Sequence, residues 1–464
     1  MIHRFSLSGI LLLSFFLAVQ TPSLCAEKFK KRPGISRYVQ IPILYMTDRG
    51  FAKNNFLNQR KLEEGSIYDV FSGSADCIIE NLQYKTLTPA QEKLGWQYLN
   101  KLPKNQVVEA QLTESGKKGV YTQFGKKLVQ IAENTGHKEF FMSVHGFNNP
   151  FDGSAKSAAK LAYAVERPVI LYSWPSAARI VLYEVDSGNN EWSQEHFNRL
   201  MEELIYTKNK HKLRFSLVAH SMGNRLVIRA AEVLKGQRLF EQAFLVDPDM
   251  DAETFVHYVA RYAVGGIEEL EVMAKADPAA ISDEHSNVPE NSEGKLRILF
   301  SHHDNALPIV QLLFGGGYTR LGQGADTLLS AVFDPDSFSN FLQSTVELFQ
   351  DDDNDDESKN KTANKKEDAQ YFKLARAFEW IDYTVLDHGI LGHTIPFELI
   401  ANLWSTGKPG QGLALVTTEN KSVNRFTRFA SRVLRQTKHV GDVGQCEKVV
   451  FAKDVKAKFI SAAH

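Results

Sequence analysis

Ser221 sits in the pentapeptide Ala219-His220-Ser221-Met222-Gly223, between an apolar run and a helical pattern. Phe215, Leu217 and Val218 have strand character, whereas Leu226, Val227, Ala230, Ala231 and Leu234 recur along one helical face. A serine at a strand-to-helix junction can be held in a sharp turn that lifts its hydroxyl clear of a sheet. The turn needs small residues two before and two after the serine, and here these are Ala219 and Gly223. The pentapeptide is one methyl group away from the G-x-S-x-G nucleophile elbow. The plainer role of such a serine is to cap a helix, so a nucleophile must be argued from the other residues its chemistry requires.

Acyl transfer requires two backbone N–H groups aimed at the developing oxyanion. One comes from the residue after the nucleophile, Met222. The other belongs at the end of an earlier strand, where EFFMSVHGFNN places His145, Gly146 and Phe147. Gly146 lets the backbone come close, and Phe147 is expected to donate its N–H. An acid and then a histidine must follow in the order Ser, Asp or Glu, His. Asp304 follows the strand-like LRILFS and is the preferred acid, while Asp247 and Asp249 in VDPDMD are its rivals. Those two equally suit a helix N-terminus, where carboxylates cap N–H groups and oppose the dipole. His393 in GHT is the expected base, with His388 as the alternative. His220, directly before an elbow serine, is expected to point elsewhere.

The elements that must position these groups alternate along the chain. Strand-like YVQIPILYM, EFFMSV, PVILYS, FSLVA, AFLVD, LRILFS and FEWID are separated by helical SAKSAAKLAYAVE, WSQEHFNRLMEELIYT, the segment after Met222, and DAETFVHYVARYA. Strands apolar on both faces and separated by helices call for an α/β fold, a mostly parallel central sheet with helices on both faces. One such domain is expected over residues 36–406. It carries two insertions, at about 265–294 and 326–373. The second begins with a Phe- and Leu-rich part, which either packs or overhangs the site as a lid. It ends in DDDNDDESKNKTANKKED, too charged to bury anything and expected to be disordered. Residues 407–464 form a tail in which the alternation is lost.

Outside this domain, residues 1–26 read as an export signal. His3 and Arg4 precede an apolar run from Ile10 to Val19 that is too short to span a bilayer, and cleavage is expected near Cys25 or Ala26. Lipid attachment at Cys25 is the lesser option, because Leu24 is not the small residue such a site needs. An exported chain, periplasmic or secreted, would leave Cys77 and Cys446 to pair or to remain as two thiols. In 464 residues, 54 Lys and Arg balance 55 Asp and Glu, which argues against nucleic acid as a partner. No H-E-x-x-H or Cys/His cluster suggests a metal, and GGGYTRLGQG lacks the strand–turn–helix context of a dinucleotide loop. Neither cofactor nor metal is expected. Trp174 in SWPS reads as a core or pocket wall.

YMTDRG, VHGFNN, LYSWPSA, LVAHSMGNRL, VDPDMDAETF, the Asp304-Asn305-Ala306-Leu307 loop, GGGYTRLG and GHTIPFE occur in this order. As a set, spanning roughly Tyr38 to Trp404, they resemble a bacterial α/β-hydrolase family of unknown function with lipase-like and esterase-like members. The resemblance implies an α/β-hydrolase fold and the triad Ser221, Asp304 and His393. The expected activity is cleavage of a carboxylic ester, from a small molecule or a lipid, with peripheral membrane contact an option. Acyl transfer and thioester hydrolysis would use the same residues. An exported binding or envelope module that keeps the fold without the activity is the rival reading.

Overall fold

The computed structural model describes residues 37–53, 55–60, 70–82, 85–102, 109–113, 120–234, 237, 239–250, 255, 295–304, 306–307, 378–387, 393–419 and 445–451. The export segment, both insertions, His388 and, apart from Phe255, the helix expected from Asp251 onward lie outside the described residues.

The strands in chain order are β1 (Tyr38–Thr47), β2 (Arg49–Ala52), β3 (Asn55–Arg60), β4 (Phe71–Glu80), β5 (Gln97–Leu99), β6 (Glu109–Thr113), β7 (Glu139–Val144), β8 (Val169–Ser173), β9 (Arg214–His220), β10 (Phe240–Val246), β11 (Lys295–Phe300), β12 (Phe378–Asp382), β13 (Leu413–Glu419) and β14 (Gln445–Phe451). The helices are α1 (Pro89–Lys93), α2 (Val120–Thr135), α3 (Phe151–Val165), α4 (Tyr183–Trp192), α5 (Gln194–His211), α6 (Gly223–Arg229), α7 (Ala231–Leu234) and α8 (Phe397–Thr406).

Among the described residues the main sheet runs β13-β14-β12-β11-β10-β9-β7-β8-β1-β4-β6, with β5 paired to β1 and β2-β3 forming a separate hairpin. From β14 to β1 every neighbouring pair is parallel, whereas β4, β6, β5 and β13 join antiparallel at the margins. The central strands are buried on both faces because helices cover both. In β7, Phe140, Met142 and Val144 face a core shared with α2 and α5, where Phe124, Leu128, Phe197 and Leu200 meet them. Phe141 faces the opposite core, built by Ala155, Ala158, Ala159 and Ala162 of α3 and Leu399 and Leu403 of α8. The alanines keep that helix close to the sheet, and each buried large side chain contributes roughly 1.5–3 kcal/mol.

The tail past Gly407, where no alternation is legible, supplies two strands, and β14 docks parallel against β12 through Ile381 and Asp382. The sheet therefore runs beyond residue 406. Strand β4, FSGSADCIIE, was not legible either, because its Gly, Ser and Asp dilute the apolar pattern. Cys77 lies on β4 and Cys446 on β14, eight strands apart in the sheet order. At about 4.8 Å per strand this separation excludes a disulfide between them within one chain, and Cys77 is a buried free thiol.

Candidate active site

Among the described residues, the groups singled out for chemistry lie at or beyond the C-terminal ends of the parallel strands, where open α/β sheets bind their ligands. Ser221 follows β9 with φ +50°. A non-glycine residue in the left-handed region costs on the order of 1–2 kcal/mol, so neighbouring contacts must hold it there. Its N–H donates to Val246 O at 2.9 Å, and its carbonyl accepts from Asn224 Nδ2 at 2.9 Å. The small-residue demand falls unevenly on its two sides. Ala219 packs its methyl group into the core with no exposure, so the departure from glycine is accommodated. Gly223 has no such room, for a Cβ there would run into His145 O and stand 2.9 Å from Val144 O.

The loop after β7 meets the serine from the other side. A Cβ on Gly146 would lie 3.0 Å from His220 Nδ1 and 3.1 Å from His220 O. Among the described residues, neither the Phe147 N–H nor the Met222 N–H donates a hydrogen bond, which leaves both able to serve an incoming oxygen. Phe147 packs its ring against Tyr183 at 5.3 Å. The loop is fastened from behind by His145 and Arg49. His145 Nδ1 donates to Gly146 O at 2.7 Å, and its Nε2 accepts from Arg49 Nη2 at 3.2 Å. The guanidinium can only donate, which makes Nε2 the acceptor, and the Trp174 carbonyl 3.1 Å from the same nitrogen then receives no hydrogen from it. Trp174 stacks on His145 with 9° between the rings and donates to His145 O at 2.8 Å. Burial, then the Arg49 charge, pushes His145 down to about 3, so it is neutral. Arg49 is fully buried, and donates also to Asn149 O at 2.7 Å and Ser173 Oγ at 2.9 Å.

His393 precedes α8 and its Nδ1 is hydrogen-bonded to Asp304 Oδ2 at 2.8 Å. Asp304, after β11, accepts on its other oxygen from the N–H groups of Ala306 at 2.9 Å and Leu307 at 3.3 Å. Acceptor contacts on both oxygens are the surroundings of a carboxylate. Burial opposes an imidazolium at His393, but the surrounding carboxyl groups, Asp304 first and then Asp247 and Asp249 where charged, outweigh it and push the group up. Asp247, one of the rival acids, follows β10 with φ +42° and stands 3.9 Å from His393 Nδ1. Its Oδ2 is hydrogen-bonded to the Tyr383 hydroxyl. Asp249 serves elsewhere, pairing with Arg225 at 3.1 Å and accepting from the Tyr183 hydroxyl at 2.6 Å.

The expectation for His220 is corrected. Instead of pointing away, its ring packs 4.6 Å from that of His393. It reaches there because β9 ends at His220 and the backbone reverses hand at the next residue. Burial, followed by the nearby His393 and His145, pushes its basicity well down. His220, Asp247 and His393 bring ligand atoms within 4.8 Å of one another. Asp304 already takes His393 Nδ1 and Tyr383 takes Asp247 Oδ2, which ties the trio into one acid–base cluster. Arg49 and Tyr383 were missed as site residues. Their only signals were an arginine at the end of an apolar strand and a tyrosine at the end of another.

The parallel sheet, its two helical layers and this arrangement at the strand ends are those of the α/β-hydrolase fold. Residues 122–330 match the family described as "Alpha/beta hydrolase of unknown function (DUF900)", the kind of family that the ordered motifs resemble. That stretch includes Gly146, Ser221, Asp247 and Asp304, whereas Arg49, Tyr383 and His393 lie outside it. No curated protein matches the chain significantly.

Proposed function

We propose that the chain is a serine hydrolase that cleaves a carboxylic ester through an acyl-enzyme. The observation that carries this reading is the His393–Asp304 bond of 2.8 Å at the same sheet end as a serine held at φ +50°. His393 takes the Ser221 proton as the hydroxyl oxygen attacks the ester carbonyl, and Asp304 holds the resulting imidazolium. Phe147 and Met222 N–H groups receive the oxyanion. The alcohol leaves with the proton from His393, and His393 then activates water to release the acid. No cofactor enters this cycle. The substrate is an ester of a small molecule or a lipid. We further propose export, from the apolar run and cleavage pattern of residues 1–26. Among the described residues no helix is long and apolar enough to cross a membrane.

Labelling with a fluorophosphonate tests the reading directly. It should label the native protein and fail on Ser221→Ala and His393→Ala. No labelling of folded native protein, together with no hydrolysis of short- or long-chain p-nitrophenyl esters, would turn the assignment toward a binding module.

A further inference from the structure

Asp247 and Asp304 both reach the same imidazole, one at 3.9 Å and the other at 2.8 Å from His393 Nδ1, and both are buried. One imidazolium can balance one carboxylate but not two, so a second buried anion beside it is strongly disfavoured. Hydrogen-bond bookkeeping identifies which acid is neutral. The Tyr383 hydroxyl touches Asp247 Oδ2 and also Thr394 O, the latter at 2.9 Å. A phenol has one hydrogen, and a carbonyl can only accept. Both contacts are satisfied when the phenol donates to Thr394 O and receives a hydrogen from Asp247. The other oxygen of Asp247, Oδ1, has no hydrogen-bond partner among the described residues. A bare oxygen is far cheaper on a neutral carboxylic acid than on a carboxylate. Asp304, by contrast, accepts on both oxygens.

We propose that Asp247 is a resident neutral acid, joined through the Tyr383 hydroxyl to the Thr394 carbonyl, and that this leaves Asp304 as the single anion facing His393. The idea rests on the hydrolase reading for its functional meaning. A second anion would hold the imidazole charged and useless as a base, whereas a neutral Asp247 takes away one of the charges that favour the imidazolium. The chain Asp247–Tyr383–Thr394 also fixes the backbone next to His393, so Asp247 is a positioning residue. The titratable groups facing it are Asp304, His393, Tyr383 and Asp387, with His220 completing the cluster. Burial, then Asp304, raises its proton affinity well above the usual carboxylate range, and the phenol of Tyr383 is likewise held neutral by burial.

Two measurements test this. Infrared spectra of the full chain, with and without carbon-13 aspartate, should show a protonated carboxyl band at pH 8. The band should disappear in Asp247→Asn and change frequency in Tyr383→Phe. Absence of the band, or a band indifferent to both variants, overturns the proposal whether or not the protein hydrolyses esters. The second measurement is the pH profile of kcat/KM on p-nitrophenyl acetate. The apparent pKa of the acid limb in Asp247→Asn should stay within about 0.3 of the native value, because one neutral group replaces another. A fall of about one unit or more would mean that Asp247 had been an anion. The amide of Asp247→Asn can still donate to Tyr383, so its kcat should exceed that of Asp247→Ala by about tenfold. Equal kcat in the two variants would remove the positioning role. Failure of the hydrolase reading would appear as no hydrolysis at all, with the infrared band intact.

Discussion

Gly146 and Ser221 face each other so closely that a Cβ on the glycine would stand 2.8 Å from the Cβ of the serine. The turns that end β7 and β9 are thus in contact at the point where the proposed oxyanion pocket and nucleophile must share one carbonyl carbon. Gly146→Ala should lower stability by about 1–3 kcal/mol as the two turns separate. Gly223→Ala should cost at least as much, because the obstructing atoms there are backbone carbonyl oxygens. Thermal melting and the rate of fluorophosphonate labelling check both. A labelling rate at the native level in Gly146→Ala would contradict the tight fit.

Arg49 acts on the same loop from the buried side. Arg49→Ala leaves His145 Nε2 and Asn149 O without their guanidinium partner, and should destabilise the fold by about 2–3 kcal/mol. Arg49→Lys supplies a charge but not the fork that spans Asn149, His145 and Ser173. It should recover stability only in part. Denaturant midpoints for the three proteins give the order.

The two candidate acids on different partners should fail in different ways. Asp304→Asn should reduce kcat by on the order of 10^3 to 10^4 with a small change in KM, since it holds the base. Asp249→Asn breaks contacts to Arg225 and Tyr183 and should act mainly on thermal stability. Steady-state kinetics beside melting curves separates the effects, and a loss of kcat larger in Asp249→Asn would reverse the assignment.

His145 predicts a pH dependence of stability. Its folded form resists protonation down to about 3, whereas an unfolded histidine titrates near 6.5. Below that pH the unfolded chain binds a proton that the native state refuses. The stability from His145 is therefore complete above about pH 6.5 and declines as pH falls toward about 3. From pH 6.5 to pH 5 the loss is about 2 kcal/mol. His145→Gln should be less stable at pH 7 yet show a shallower slope between pH 7 and 5 in chemical denaturation. An unchanged slope would show that the imidazole is not held neutral.

Much of this was legible along the chain. The central strands announce themselves because burial on both faces demands unbroken apolar runs such as Phe140-Phe141-Met142 and Val169-Ile170-Leu171. The elbow is legible because its steric demand is local, two residues either side of Ser221. Strands toward the margins of the sheet are less crowded and tolerate polar residues, which hid β4 and the two strands of the tail. His220 was misread for a different reason. The turn geometry describes where the backbone goes, but the ring's neighbour is His393, 173 positions later in the numbering.

By itself the sequence determined the class of fold, the serine at a strand end and a short list of acids and bases in a workable order. Only the tertiary structure tells the acids apart by their partners, because Asp247, Asp249 and Asp304 all follow strand ends and differ in what faces them. Asp304 meets an imidazole, Asp249 meets a guanidinium, and Asp247 meets a phenol that also meets the Thr394 carbonyl. Local sequence sets which atoms a side chain offers. Long-range packing sets which partner desolvates it, and the partner determines whether a carboxyl group serves as an anion, a structural clamp or a neutral acid.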